Sequence, residues 1–382
     1  MFAKRTNWEL RTNRYSEALE GARRAGRKLL DLTVSNPTAC GVEMDPRVLR
    51  ALADDRGAKY EPEARGMSSA RAAVAGYYEG LGVQVAAENV VLTTSTSEAY
   101  SYAFRLLCEP GDEVLVPQPG YPLFDFLASI QDVRPVAYPL IYDHGWHIDL
   151  HALEQAVTPR TRAVIVVHPN NPTGSFVSRE ERRALAQLCA ARGMAIVADE
   201  VFLDYGLEGP PHSFADESNC LTLTLSGLSK IAGLPQMKVA WIVASGPDEL
   251  RAQAMARLEV IADTYLSVNT PMQLALPVMM ESRHGFQKQL KARLASNLRE
   301  LDAQLAGAPQ ISRLEVQGGW YATLRVPVTQ PDEELAIQLI EKGVVVQPGH
   351  FFDFPRDGYL VVSLMTEERE FREGVGRLVG VL

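Results

Sequence analysis

Between Asn89 and Gly227 the chain alternates short, largely apolar runs with longer stretches whose apolar residues recur every three or four positions. NVVLTTS precedes TSEAYSYAFRLL, EVLVP precedes YPLFDFLASI, RAVIVVHP precedes SREERRALAQLCAARG, and AIVADEVF and CLTLTLS follow. This alternation predicts strands joined by helices, and therefore an α/β fold with a mainly parallel sheet covered on both faces. AVIVV and CLTLTL carry no charge, as expected of strands buried on both sides.

The two ends of the chain have a different texture. Residues 16–30, SEALEGARRAGRKLL, predict a helix with Ser16 as its N-cap, and LDLTVSNP then reads as a short strand running into a loop. Beyond Pro271 a long helical stretch leads to the strands EVQGGWYATLRV, VVVQP and YLVVSLM, an α+β pattern. The predicted organisation is an N-terminal arm, residues 1–45, packing with a small C-terminal domain, residues 276–382, beside a large domain, residues 46–275.

Composition supports two domains, because 382 residues exceed the roughly 250–300 at which single cores stop growing. With 38 basic and 47 acidic residues the net charge is −9, which provides no chain-wide positive field for nucleic acid or anionic lipid. Cys40, Cys108, Cys189 and Cys220 form no CxxC pair or zinc set, and the polar start lacks the apolar core of a signal peptide. A soluble, cytoplasmic protein is expected, with no membrane or nucleic-acid partner. The basic cluster Arg23, Arg24, Arg27 and Lys28 reads as a solvated helix face. His144, His147 and His151 lie where a strand end enters a helix, without a carboxylate or thiol to complete a tetrahedral set, so no metal site is expected.

Three segments carry candidate chemistry. HPNNPTG, residues 168–174, follows AVIVV directly, and ligands of open α/β sheets bind at the carboxyl ends of strands. Asp199 ends the next apolar run, and Lys230 lies beyond a third, in SGLSK. Singly, these are also an Asn-Pro turn, a helix cap and a solvated lysine. Together they place an amide, a carboxylate and an amine at neighbouring strand ends, the set that pyridoxal 5′-phosphate (PLP) chemistry requires. TTSTSEA, residues 93–99, leaves a strand and opens a helix, where free amides bind phosphate oxygens.

From LTVSNP to YLVVSLM the chain resembles the class I/II aminotransferases, a family of fold-type I PLP enzymes, with HPNNPTG, ADEVF and SGLSK in the family's order. The resemblance implies a large domain with a seven-stranded, mainly parallel sheet and a smaller α+β domain. It makes Lys230 the Schiff-base lysine, pairs Asp199 with the pyridine nitrogen and sets Asn171 at the ring hydroxyl. Ser95, Thr96, Ser97, Ser226 and Lys238 fall at the phosphate, and Tyr121 falls where an aromatic ring stacks on the pyridine. KYEPEARG loosely matches a segment whose tyrosine reaches the neighbouring subunit's phosphate, so Tyr60 implies a homodimer with composite sites.

Three positions depart from the family pattern. Phe202 stands where a tyrosine usually donates to the ring oxygen, and Lys238 replaces an arginine, giving charge without a fork. Val361, in GYLVVSLM, occupies the place of the arginine that clamps the substrate carboxylate. Arg65, Arg325, Arg356 and His350 are the candidates to replace it. The expected activity is transfer of an amino group from an amino acid or related amine to a 2-oxo acid. A PLP-dependent lyase, decarboxylase or cyclase, or a noncatalytic PLP-binding homologue, is the alternative that the departures favour.

Overall fold

The structure, a computed structural model, describes residues 1–207 and 212–382. Its first substantial helix, Arg14–Arg24, is capped by Asn13, whose side chain accepts from the Ser16 amide. The predicted cap at Ser16 therefore lies inside the helix. The helix also stops short of Leu30, because Gly26 turns the chain at a φ of 68°, a conformation that glycine adopts without steric cost. Tyr15 and Ala22 face inward while Arg23 and Arg24 are exposed, as a solvated basic face requires. Strand β1 (Leu30–Asp31) follows.

The central sheet comprises β2 (Val90–Thr93), β3 (Glu113–Gln118), β4 (Arg134–Tyr142), β5 (Trp146–Ile148), β6 (Thr161–Val167), β7 (Ala195–Asp199), β8 (Thr222–Gly227) and β9 (Ala240–Ser245). Their order is β2-β9-β8-β7-β6-β3-β4-β5, with β9 antiparallel to both neighbours and β5 antiparallel to β4. Seven strands form the expected sheet, and the three-residue β5 is an eighth at its edge. Burial on both faces is direct: Ala163, Ile165 and Val197 belong to one apolar cluster, while Val164, Val166 and Ile196 belong to another. The connecting helix Arg179–Arg192 begins in a capping box between Ser178 and Glu181 and ends at Gly193 with φ 64°.

After the sheet, a helix of 36 residues, Thr270–Leu305, spans two cores. Met272, Leu276 and Met279 pack beneath the sheet, whereas Phe286, Leu290, Leu294 and Leu301 join the C-terminal core. The C-terminal strands are β10 (Ser312–Arg313), β11 (Tyr321–Arg325), β12 (Val344–Val345), β13 (Gln347–Pro348) and β14 (Tyr359–Ser363). An antiparallel sheet runs β10-β11-β14-β13, and β12 pairs with β1, in parallel, from the other end of the chain. The strand predicted from EVQGGWYATLRV is confined to β11. Its first half instead leaves the sheet, because the Gln317 and Gly318 amides donate to the Gly174 carbonyl.

All four cysteines are free thiols, two of them, Cys189 and Cys220, deeply buried. No helix among the described residues is long and apolar enough to cross a membrane, and no cluster of His, Cys, Asp and Glu there could hold a metal ion.

Candidate active site

Register in the central sheet brings the predicted segments together. Val167 pairs with Asp199, and Asp199 with Leu225, so the carboxyl ends of β6, β7 and β8 lie side by side. The HPNNPTG turn is anchored from three directions. The Val177 amide donates to His168 Nδ1 at 3.0 Å, which leaves the ring proton on Nε2, and that atom donates to the His212 carbonyl at 2.8 Å. Burial holds His168 neutral, pushing its pKa down to about 3. Asn170 Nδ2 donates to the Pro119 carbonyl at 3.1 Å, tying the turn to the loop that carries Tyr121. Gly174 closes it, since a Cβ there would meet Val316 Cγ2 at 2.3 Å and the Gly318 carbonyl at 2.6 Å. The amide of Asn171, held in this frame, has a buried oxygen with no partner.

Alternation along the end of β7 sends Asp199 and Glu200 to different surroundings. Glu200 accepts from Ser213 Oγ at 2.7 Å and the Phe214 amide at 2.5 Å, away from the lysine. Asp199 Oδ1 accepts from the Val201 amide at 3.1 Å and Oδ2 from the Tyr100 hydroxyl at 3.0 Å. Burial raises its pKa to about 6 despite these donors and the nearby Lys230. Lys230 lies in the one-turn helix Leu228–Ile231 beyond β8. Its Nζ sits 4.9 Å from the Trp320 ring centroid and 5.6 Å from that of Phe202, and it makes no ion pair among the described residues. Desolvation lowers its pKa, outweighing the attraction of Asp199. An amine and a carboxylate both shifted towards their neutral forms, at adjacent strand ends, are characteristic of a reaction centre.

Ser95 caps the helix Thr96–Leu107, its Oγ accepting from the Glu98 amide at 3.2 Å. Glu98 folds back to accept from the Thr94 amide at 2.7 Å and from Ser267 Oγ at 2.8 Å. This leaves Thr96 and Ser97 presenting first-turn amides that no helical carbonyl can reach. Ser226 is fully buried with an unpartnered hydroxyl, and Lys238 is exposed at a φ of 54°. Tyr121 packs edge-on against Phe124, its pKa raised to about 12 by burial and by Asp199. Phe202 packs against Trp320 with centroids 5.2 Å apart. Tyr60 stands apart from these residues: it is 75% exposed and lines an open cleft of about 370 Å³ with Gly57, Tyr102 and Asn269.

The side-chain amide of Asn171, whose Nδ2 is a donor, the unpartnered buried Ser226 hydroxyl, a Lys230 without an ion pair among the described residues and a carboxylate at the neighbouring strand end fit PLP, which needs a donor to its ring oxygen, phosphate ligands, an amine and an anionic partner. Residues 27–378 match the family described as aminotransferase class I and II. The chain belongs to that family. It is a PLP-dependent aminotransferase of the fold-type I architecture. It is 25% identical to the glutamate-pyruvate aminotransferase AlaA of Haemophilus influenzae, over 98% of this chain and 95% of that one. It is 29% identical to the aspartate/prephenate aminotransferase of Thermus thermophilus, over 96% and 94% of the respective chains. Among solved structures, an alanine aminotransferase from Pyrococcus furiosus superposes with a TM-score of 0.91 at 22% identity, covering 100% of this chain and 99% of that one.

In this aminotransferase three further side chains that its motifs do not reveal touch Lys230 or Asp199. Trp320 lies beneath Lys230, Tyr205 donates to the Lys230 carbonyl at 2.6 Å, and Tyr100 reaches Asp199. Only Tyr100 had a usable signal, one turn beyond Thr96 on the helix that opens at the phosphate turn. The candidate replacements for a carboxylate clamp each have contacts of their own. Arg65 donates to the Glu88 carbonyl and faces Glu259, Arg325 lies over Tyr142, and Arg356 donates to the Tyr359 hydroxyl. His350 is exposed, edge-on to Phe351. Val361 is fully buried, paired in register with Thr323, whose hydroxyl has no partner.

Proposed function

We propose that this aminotransferase moves an amino group from an amino acid or related amine to a 2-oxo acid at a site built on Lys230 and Asp199. The carrying observation is the pair itself: an unpaired, desolvated lysine beside a buried carboxylate whose pKa is raised to about 6. PLP supplies, when bound, an aldehyde for the incoming amine and a ring that takes up the electron pair released at the donor carbon. Lys230, lowered in pKa, is poised to hold a proton and return it, as a general base and acid must. Asp199 would supply the negative charge for the ring nitrogen, and Asn171 would donate from its amide to the ring oxygen. Ser95, Thr96, Ser97, Ser226 and Lys238 would hold the phosphate, and Tyr121 would cover the ring. Phe202 supports it through packing alone, without a hydroxyl to donate.

The donor is drawn widely because Val361 puts no charge where the family pattern has its carboxylate-binding arginine, while the relatives are named for substrates as different as glutamate, pyruvate, aspartate and prephenate. A direct test supplies ¹⁵N-labelled amines singly with a 2-oxo acid and follows the label by mass spectrometry. Equimolar appearance of labelled amino acid supports transfer. Release of ammonia or carbon dioxide without labelled product would sink it.

The reading includes a cytoplasmic homodimer and three segments: an arm of residues 1–45 joined to a small domain, 276–382, on a large domain, 46–275. Pairing of β1 with β12 supports the first union. The exposure of Tyr60 supports a role in the neighbouring subunit's phosphate site. Mixing Tyr60→Ala chains with Lys230→Ala chains then creates dimers with one intact and one doubly defective site. With random exchange half of the dimers are mixed, so about a quarter of wild-type activity is expected to return. No recovery after verified exchange would assign Tyr60 to its own chain.

A further inference from the structure

We propose that Tyr100 is a positioning residue for the reaction: its hydroxyl fixes and ionises the Asp199 carboxylate, and through it the phosphate end and the ring-nitrogen end of the cofactor site are held as one rigid part. The inference rests on the reading that Asp199 faces the ring nitrogen. Tyr100 lies on the helix Thr96–Leu107, four positions after the residue that opens it, and so on the same face as the phosphate turn. From there its hydroxyl donates 3.0 Å to Asp199 Oδ2 at the end of β7. The other carboxylate oxygen is turned by the Val201 amide, so the two donors fix the plane of the group.

Tyr100 is buried, its ring 5.9 Å from that of Phe104 and 5.7 Å from that of Phe124, which restricts the directions its hydroxyl can take. The groups facing this carboxylate are few. Lys230 approaches from beyond β8, Tyr121 from the loop after β3, and Tyr138 lies close to Tyr100 from β4. Burial pushes the Tyr100 phenol well above its usual range, so it remains a donor at every working pH. A carboxylate in so dry a place would otherwise take up a proton, and a protonated Asp199 could not stabilise a charged ring nitrogen.

Tyr100→Phe removes the donor and keeps the packing, so the variant is expected to fold. The first measurement uses apoprotein labelled with ¹³C in aspartate carboxyls, with Asp199→Asn identifying the resonance. Its titration midpoint is expected to rise by about one to two pH units in Tyr100→Phe, the effect of losing one hydrogen bond to a charged group. The second is a double-mutant cycle on kcat and on the PLP dissociation constant. Tyr100→Phe alone is expected to lower kcat roughly tenfold with little change in KM, and to have no further effect in an Asp199→Ala background. An unmoved midpoint, or an equal loss of kcat in both backgrounds, overturns the proposal. If instead Asp199→Ala itself keeps full turnover, the assignment of Asp199 fails, while the apoprotein titration still decides whether Tyr100 ionises it.

Discussion

Lys230→Ala is expected to lower turnover by about four orders of magnitude or more, the upper range of what a positioned proton carrier contributes, with the covalent anchor lost in addition. Borohydride treatment of the wild-type holoenzyme is expected to fix the cofactor to the peptide containing Lys230, and the variant should take up no label. The same substitution should hardly disturb the fold. Lys230 makes no ion pair among the described residues and lies against Trp320 and Phe202, so the native state pays for its desolvation without a compensating bond. The apo form of the variant should therefore melt within a few degrees of wild-type apoprotein. Full turnover in Lys230→Ala, or label recovered elsewhere, would refute the assignment.

The second large effect is expected at Asp199. Asp199→Ala should cost several orders of magnitude in kcat, because a ring nitrogen without an anionic partner loses its charge and the site its electron sink. Asp216→Ala is the matched control. Asp216 pairs with Arg182 at 2.6 Å with its side chain 53% exposed, and such surface pairs contribute only ~0.2–1 kcal/mol. Its loss should leave kcat within about twofold, since Arg182 keeps its contacts with Glu217 and the Ser213 carbonyl. Similar modest losses in both variants would reduce Asp199 to a structural residue.

Most of the fold was legible because its signals are local. The apolar runs that became β6, β7 and β8 are buried on both faces, and burial of that kind excludes charge from the sequence itself. Segments governed by distant partners were less legible. Residues 315–320 have the composition of a strand, yet Gly174, some 140 positions earlier, draws the backbone at 317 and 318 out of the sheet. Ser16 looked like a cap because the sequence carries no mark that Asn13 would compete successfully for the same helix end.

The site divided in the same way. That Asn171, Asp199 and Lys230 would meet at neighbouring strand ends could be read from position alone, since each follows an apolar run. Trp320 could not, and Tyr100 only by its place one turn beyond Thr96, because each reaches its partner across a tertiary contact, over 99 positions of sequence in the case of Tyr100 and Asp199. Arg65, Arg325 and Arg356 show the converse. Their charges make them clamp candidates, and each has a local contact, with a carbonyl and a carboxylate for Arg65, a ring for Arg325 and a hydroxyl for Arg356, that position in the sequence does not disclose.

The pairing of β1 with β12 has a consequence for how the chain is made. Leu30 meets Val344, a separation of 314 residues (344 − 30), so the arm leaves the ribosome long before its partner exists. At ~5–20 residues per second the wait is roughly 15–60 s. Throughout it Leu30 and Leu32, both buried in the finished protein, stay exposed to solvent and to chaperones. The sheet strands can assemble as they emerge, whereas β1 docks only once β12 exists, and a chain that stops before Val344 leaves Leu30 and Leu32 without the strand that covers them.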